Sequence, residues 1–147
     1  METETKKKIL IVDDEPDIRN FLSACLEDAG FLTDTAKDGI EALEKVAADP
    51  PDLITLDLVM PRRSGVRVIR ELQANAQWAK IPVIVITAHA RDEFGSEEFK
   101  ALSAFTANMK PRITIEKPVT QEKIVGAICE VLKITETRTK IVEMSGD

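Results

Sequence analysis

Residues 9–14 read ILIVDD, four branched apolar residues followed directly by two acids. The apolar run has the length of a buried strand and is too short to cross a membrane. Two adjacent carboxylates repel each other unless positive charge lies nearby. We therefore interpret this stretch as a buried strand that ends at a charged site, and the rest of the chain is read from it.

Strand and helix patterns alternate five times along the chain. Most of the strand segments are continuously apolar, which predicts a parallel sheet covered on both faces and an α/β fold. With right-handed crossovers and the strand order 2-1-3-4-5, the first, third, fourth and fifth strands lie side by side. The predicted strands are 8–12, 31–36, 52–58, 81–87 and 112–116.

Capping residues mark the predicted helix boundaries. Pro16 suits a first helical position, Gly30 a C-terminal cap and Thr120 an N-cap, and Asp38–Gly39 begins the second helix. Apolar residues recur at spacings of three and four, which predicts one buried face on each helix. In the first two helices they are Ile18, Phe21, Leu22, Cys25, Leu26 and Ala29, then Ile40, Leu43, Val46 and Ala47.

The bulk composition is that of a globular protein with one domain. Of the 147 residues, 44% are hydrophobic and 31% charged, and the net charge is −6. The negative charge disfavours nucleic acid and anionic membranes as partners. With neither a signal peptide nor an apolar run of membrane length, the predicted location is cytoplasmic. Cys25 and Cys129 fit no metal spacing and are expected to be free thiols.

The predicted domain spans 8–133, between an N-terminal tail at 1–7 and a polar C-terminal tail at 134–147. No helix-turn-helix or catalytic output domain follows the domain, so the expected output is the binding of a partner. The alternative that the chain is a piece of a longer protein stays open.

Polar residues follow the predicted strands at the edge where parallel sheets bind ligands. They are Asp13 and Asp14, Asp57, Thr87 and Lys117. Three carboxylates in one pocket cannot all stay ionised unaided, and Mg²⁺, which prefers oxygen ligands, removes the conflict. Lys117 and Thr87 then suit a tetrahedral anion, and Asp57 is best placed as the nucleophile that forms an aspartyl phosphate.

These motifs resemble the receiver domain of two-component response regulators. The matching segments are IVDDEP (11–16), DLVMPRRSG (57–65), VITA (85–88) and EKP (116–118), and the resemblance covers about 8–133. It implies a flavodoxin-like (βα)5 three-layer sandwich. It also implies a phosphoacceptor signalling protein rather than an enzyme, phosphorylated by a histidine kinase, a histidine phosphotransfer protein or a small phosphodonor.

The resemblance also implies a role for each matching residue. Asp57 would be phosphorylated, and with Asp14 and the carbonyl of Val59 it would ligate Mg²⁺. Asp13 would act largely through a bound water, and Lys117 would pair with the phosphoryl group.

The remaining matches concern loops and switching. The Lys117–Pro118 bond would be cis, and Pro61 and Gly65 would shape the loop after the phosphorylation site. Phosphate would draw Thr87 inward and bias the face of the fourth and fifth helices and the fifth strand toward an unknown effector or a homodimer.

The chain departs from the receiver pattern in two ways. Receivers usually carry an aromatic residue where this chain has Thr114, and the region between the fourth helix and the fifth strand is lengthened, over 96–112. Either Phe99 or Phe105 takes over some packing there, or the insertion has no role in switching.

The resemblance to receiver domains also implies that two variable positions lie nearest the path of water toward a phospho-aspartate. These are Val59, which cannot orient water, and His89, which either contacts the phosphoryl group or a water, or is a solvated loop residue.

Two other functions remain as alternatives. The first is a receiver-like adaptor that is never phosphorylated, and the intact set of acids, hydroxyl and lysine disfavours it. The second is a Mg²⁺-dependent aspartyl-phosphate phosphatase. Such enzymes need a second acid two residues after the nucleophile, where this chain has Val59.

Overall fold

The computed structural model of the protein describes residues 6–58, 60, 64–87 and 113–134. Within those ranges strands and helices alternate, with a short 3-10 turn at Trp78–Lys80. The elements are β1 (Lys8–Val12), α1 (Pro16–Asp28), β2 (Leu32–Ala36), α2 (Gly39–Ala48), β3 (Leu53–Asp57), α3 (Ser64–Ala74), β4 (Val83–Thr87), β5 (Ile113–Glu116) and α4 (Gln121–Leu132).

Helix α4 corresponds to the fifth helix of the sequence prediction. The predicted fourth helix, Phe99, Phe105 and the 96–112 insertion lie outside the described residues.

The five strands form one parallel sheet in the order β2-β1-β3-β4-β5. The predicted fold class and strand order are confirmed. In the register of β1 and β3, Val12 lies opposite Leu56, so the next residues, Asp13 and Asp57, lie side by side where these strands end. The sheet therefore delivers two acids to one point of its carboxyl edge.

Each face of the sheet carries its own apolar core, as expected for strands that are apolar on both sides. On one face, Leu10, Ile54 and Leu56 pack with residues of α2 and α3. On the other, Ile9, Ile11, Leu53 and Ile84 pack with residues of α1 and α4. In the described ranges, no helix is long and apolar enough to cross a membrane.

The predicted helix boundaries are confirmed by the caps. The side chain of Asp38 accepts a hydrogen bond from the Glu41 N–H at 2.8 Å, and the Thr120 hydroxyl accepts one from the Lys123 N–H at 3.2 Å. Gly30 ends α1 with φ at 99°, a backbone conformation that glycine adopts without steric cost.

Three residues predicted to face the core are exposed instead, namely Phe21, Ile40 and Ala47. Phe21 is 45% exposed and Ile40 is 60% exposed. A helix that covers one face of a sheet buries only the stripe it turns toward the strands. In α1 that stripe contains Leu22 and Leu26, and in α2 it contains Ala42 and Val46. Phe21, Ile40 and Ala47 lie beside these stripes. The buried faces predicted for the first two helices were therefore too wide.

The hydroxyl of Thr55 is buried in β3 without a hydrogen-bond partner in the described part of the chain, and the residue is 1% exposed. We expect Thr55→Val to raise the free energy of unfolding by about 1 kcal/mol, because valine has the same shape and no polar atom to desolvate. Urea unfolding measures the change.

A matched control for this substitution is Thr33→Val. The Thr33 hydroxyl donates to Glu27 Oε2 at 2.6 Å, so the same change should leave stability unaltered or lower it. If both variants lost stability, the Thr55 hydroxyl would have to be hydrogen-bonded in solution.

Candidate functional site

The site is built where β1 and β3 end. Asp13 and Asp57 are buried, at 2% and 5% exposure, while Asp14 is exposed. One carboxylate oxygen from each of these three residues lies within 4.8 Å of the other two. The structure thus brings together the three acids that the sequence predicted to share a site.

This donor set fits a divalent cation. The ligand atoms are carboxylate oxygens, which hard cations such as Mg²⁺ prefer, and two of the three acids are removed from water. Buried carboxylates at this separation are costly without compensating positive charge. The cluster therefore has both the chemistry and the electrostatic need for a metal ion.

Lys117, which follows β5, brings the positive charge from the opposite side of the site. Its Nζ lies 3.2 Å from Glu15 Oε1, 3.3 Å from Asp13 Oδ2 and 3.5 Å from Asp57 Oδ2. The Lys117–Pro118 peptide bond is cis. One ammonium group is thus shared by three carboxylates.

The pKa values follow from this sharing. Burial lowers the pKa of Lys117, but the charges of Asp57 and Asp13 and the contact with Glu15 outweigh it, and the net pKa is raised. Lys117 therefore stays protonated at neutral pH. Burial raises the pKa of Asp13, and its contacts with Glu15 N–H and Lys117 do not fully offset this. Because Lys117 is shared among three carboxylates, its positive charge does not fully compensate the burial of the Asp13 carboxylate. A bound cation would supply the missing positive charge.

The loop between β1 and α1 is held by hydrogen bonds around Asp13. Its Oδ1 accepts the Glu15 N–H at 2.9 Å, and its backbone carbonyl accepts a hydrogen bond from Arg19 Nη1 at 2.7 Å. Its own N–H donates to the Ala36 carbonyl at 3.1 Å. The first of these bonds orients the carboxylate directly, and the other two hold the backbone that carries it.

Glu15 and Arg19 were not assigned to the site from the sequence. Arg19 lies one turn into α1, where its side chain can reach back to the loop, and helical spacing from Pro16 would have suggested this. Glu15 occupies the N-cap position of α1, where glutamate is not a favoured residue. In the sequence, the sign that Glu15 belongs to the site was therefore its unusual position as a capping residue beside the acid pair.

Gly65, in the first turn of α3, packs directly on the backbone that follows β3. A Cβ atom at this position would lie 2.6 Å from the Leu58 carbonyl oxygen and 2.8 Å from that of Asp57. Real Cβ atoms essentially never approach backbone oxygens so closely. Only glycine allows α3 to begin this close to Asp57, which gives the predicted loop-shaping role of Gly65 a physical basis.

The structure describes only some of the remaining residues that were predicted to belong to the site. Thr87 is the last residue of β4 and pairs with Glu116, so its backbone lies at the same edge of the sheet as the acids. Its side chain, Val59, Pro61 and His89 lie outside what the structure describes. Thr114, where receivers usually carry an aromatic residue, is exposed on β5 opposite Val85.

A doubly wound parallel sheet with buried acids after β1 and β3 and a lysine after β5 is the arrangement expected of a receiver domain. The chain belongs to the response regulator receiver domain family, which matches residues 9–129. The predicted resemblance is confirmed.

Individual relatives agree with this assignment. The chain is 35% identical over 129 residues to Response regulator MprA of Mycobacterium ulcerans (strain Agy99), an alignment that covers 88% of this chain and 51% of MprA. It is 33% identical over 141 residues to the alkaline phosphatase synthesis transcriptional regulatory protein PhoP of Bacillus subtilis (strain 168), covering 96% of this chain and 55% of PhoP. The chain thus spans about half the length of these relatives.

Among solved structures, the fold is similar to that of the chemotaxis response regulator CheY4 of Vibrio cholerae. The TM-score is 0.73 at 30% sequence identity, and the match covers 86% of this chain and 99% of CheY4.

Proposed function

We propose that this receiver domain is phosphorylated on Asp57. Mg²⁺ bound at Asp13, Asp14 and Asp57 takes part in that reaction. The observation that carries the proposal is the position of Asp57. Its buried carboxylate lies at the end of a central strand, within 4.8 Å of two further acids and 3.5 Å from Lys117. A nucleophile, a cation site and a counter-charge for phosphate are therefore within a few ångströms of each other.

The neighbouring acids are less suited to the role of nucleophile. One oxygen of Asp13 accepts a hydrogen bond from the Glu15 N–H, and the other lies 3.3 Å from Lys117 Nζ. Both oxygens of this carboxylate therefore already have a partner. Asp14 is exposed, where water competes for a transferred phosphoryl group. Asp57, which is buried and is the last residue of β3, is the remaining candidate for the acceptor.

In the proposed reaction, a carboxylate oxygen of Asp57 attacks the phosphorus atom of a phosphohistidine. The P–O bond to Asp57 forms and the P–N bond to the imidazole breaks. The imidazole leaves as a neutral base because its other ring nitrogen already carries a proton. Lys117 is placed to pair with an oxygen of the phosphoryl group as Asp57 loses its own negative charge. When bound, Mg²⁺ supplies further positive charge for the phosphoryl oxygens.

The proposed phosphoryl source is a histidine kinase or a histidine phosphotransfer protein, and the proposed output is the binding of a downstream protein. The protein then acts as a phosphoacceptor that is changed once per signal, not as an enzyme with turnover on a separate substrate. The free thiols of Cys25 and Cys129 are compatible with the proposed cytoplasmic location.

The proposal is tested by incubating the protein with acetyl phosphate and following the intact mass. We expect one phosphoryl group per chain in the presence of Mg²⁺, and incorporation slower by about tenfold or more when EDTA removes the metal. Calorimetric titration with Mg²⁺ alone tests the cation site separately. Incorporation at the same rate without metal, or none with it, would overturn the proposal.

A further inference from the structure

Glu15 makes two contacts with the site, although neither the acid cluster nor the helix cap requires its carboxylate. Its backbone N–H donates to Asp13 Oδ1 at 2.9 Å, and its Oε1 lies 3.2 Å from Lys117 Nζ. It occupies the N-cap of α1, yet its side chain makes no capping hydrogen bond. Asp38 and Thr120, at the corresponding positions of α2 and α4, both cap with their side chains.

The carboxylate of Glu15 is the nearest of the three that share Lys117, and it differs from the others in exposure. The side chain of Glu15 is 61% exposed, whereas those of Asp13 and Asp57 are 3% and 6% exposed. Glu15 therefore pulls the ammonium group toward solvent, while Asp57 pulls it into the site. A phosphoryl group on Asp57 would compete with Glu15 for the same three N–H donors.

We propose that Glu15 is a positioning residue that competes with the phosphorylated Asp57 for Lys117 and so opposes phosphorylation. This inference rests on the proposed function of Asp57. Removal of the Glu15 charge frees Lys117 for the phosphoryl oxygens. Because the Glu15 side chain is 61% exposed, water screens its attraction to Lys117 and the effect is modest. We expect phosphorylation about two- to fivefold faster.

The test compares Glu15→Gln with Asp17→Asn. Asp17 is an exposed acid in the first turn of the same helix, so its substitution removes an equal charge two residues further along the chain. The first measurement is the ¹⁵Nζ chemical shift of Lys117 without metal or phosphodonor. We expect it to change in Glu15→Gln and to stay at the parent value in Asp17→Asn.

The second measurement is the rate of phosphoryl incorporation from acetyl phosphate at saturating Mg²⁺. Glu15→Gln should be about two- to fivefold faster than the parent and Asp17→Asn unchanged. Glu15→Asp keeps the charge on a shorter side chain, so its rate of incorporation should lie between that of the parent and that of Glu15→Gln. Urea unfolding of each variant verifies that the fold is retained.

Equal behaviour of Glu15→Gln and Asp17→Asn in both measurements would overturn the inference, since the effect would then be one of general charge. If the parent itself incorporated no phosphoryl group, the proposed function would fail. The Lys117 chemical shift would in that case still decide whether Glu15 holds the ammonium group.

Discussion

Asp57→Asn is expected to abolish phosphoryl incorporation from acetyl phosphate in the presence of Mg²⁺. An amide oxygen is a far weaker nucleophile than a carboxylate oxygen, and its product would not be a stable acyl phosphate. The expected loss is at least about 100-fold, the scale of a lost nucleophile. Asparagine has nearly the size of aspartate, so β3 and its neighbours should keep their places.

The controls for this variant separate chemistry from folding. Asp17→Asn, on the surface of α1, should be labelled like the parent. The stability of Asp57→Asn should stay within about 1 kcal/mol of the parent, because the change removes one of three acids that share Lys117 as well as one contact with it. Persistent labelling of Asp57→Asn would move the acceptor to Asp13 or Asp14, and peptide mapping would then identify it.

The second large effect is expected at Gly65. Gly65→Ala should lower the free energy of unfolding by about 2–3 kcal/mol, since the new Cβ atom meets the backbone of Asp57 and Leu58 and not a flexible side chain. To relieve the contact, either the start of α3 or the backbone at Asp57 and Leu58 has to move, which disturbs the geometry of the site. We therefore expect slower phosphorylation together with the loss of stability, measured by urea unfolding and intact mass.

Gly30→Ala is the matched comparison, because it makes the same chemical change for a different physical reason. Gly30 has φ at 99° at the end of α1, remote in sequence from the acids, and alanine there costs about 1 kcal/mol. Labelling of Gly30→Ala should equal that of the parent. A Gly65→Ala variant as stable as Gly30→Ala, or labelled at the parent rate, would show that the close approach at Gly65 is relieved at little cost.

Strand order and the positions of the acids could be predicted from the sequence because both depend on local patterns. Continuous apolar runs such as ILIV mark buried parallel strands, and the residues that follow them must leave the sheet at one edge. The N-caps at Asp38 and Thr120 were predictable for the same reason, since a cap is defined by neighbours within four residues.

Contacts between distant segments could not be predicted in the same way. Helical spacing shows which residues share a face, but the width of the stripe that a sheet covers depends on packing. The predictions for Phe21, Ile40 and Ala47 were therefore wrong. The sequence placed Lys117 near Asp57 through the strand order. It gave no sign that Glu15, 102 positions away, lies closer to that ammonium group than either buried aspartate.

The acids and the lysine are supported by different parts of the sheet. Asp13 follows β1 and Asp57 ends β3, and both of these strands have a paired strand on each side. By contrast β5, which leads to Lys117, pairs only with β4 among the described strands. The anionic half of the pocket is consequently the stiff half and the cationic half the compliant one. A change of charge at Asp57 should be accommodated first by rotation of the Lys117 side chain and by movement of the turn into α4. The interior strands β1 and β3 should keep their positions.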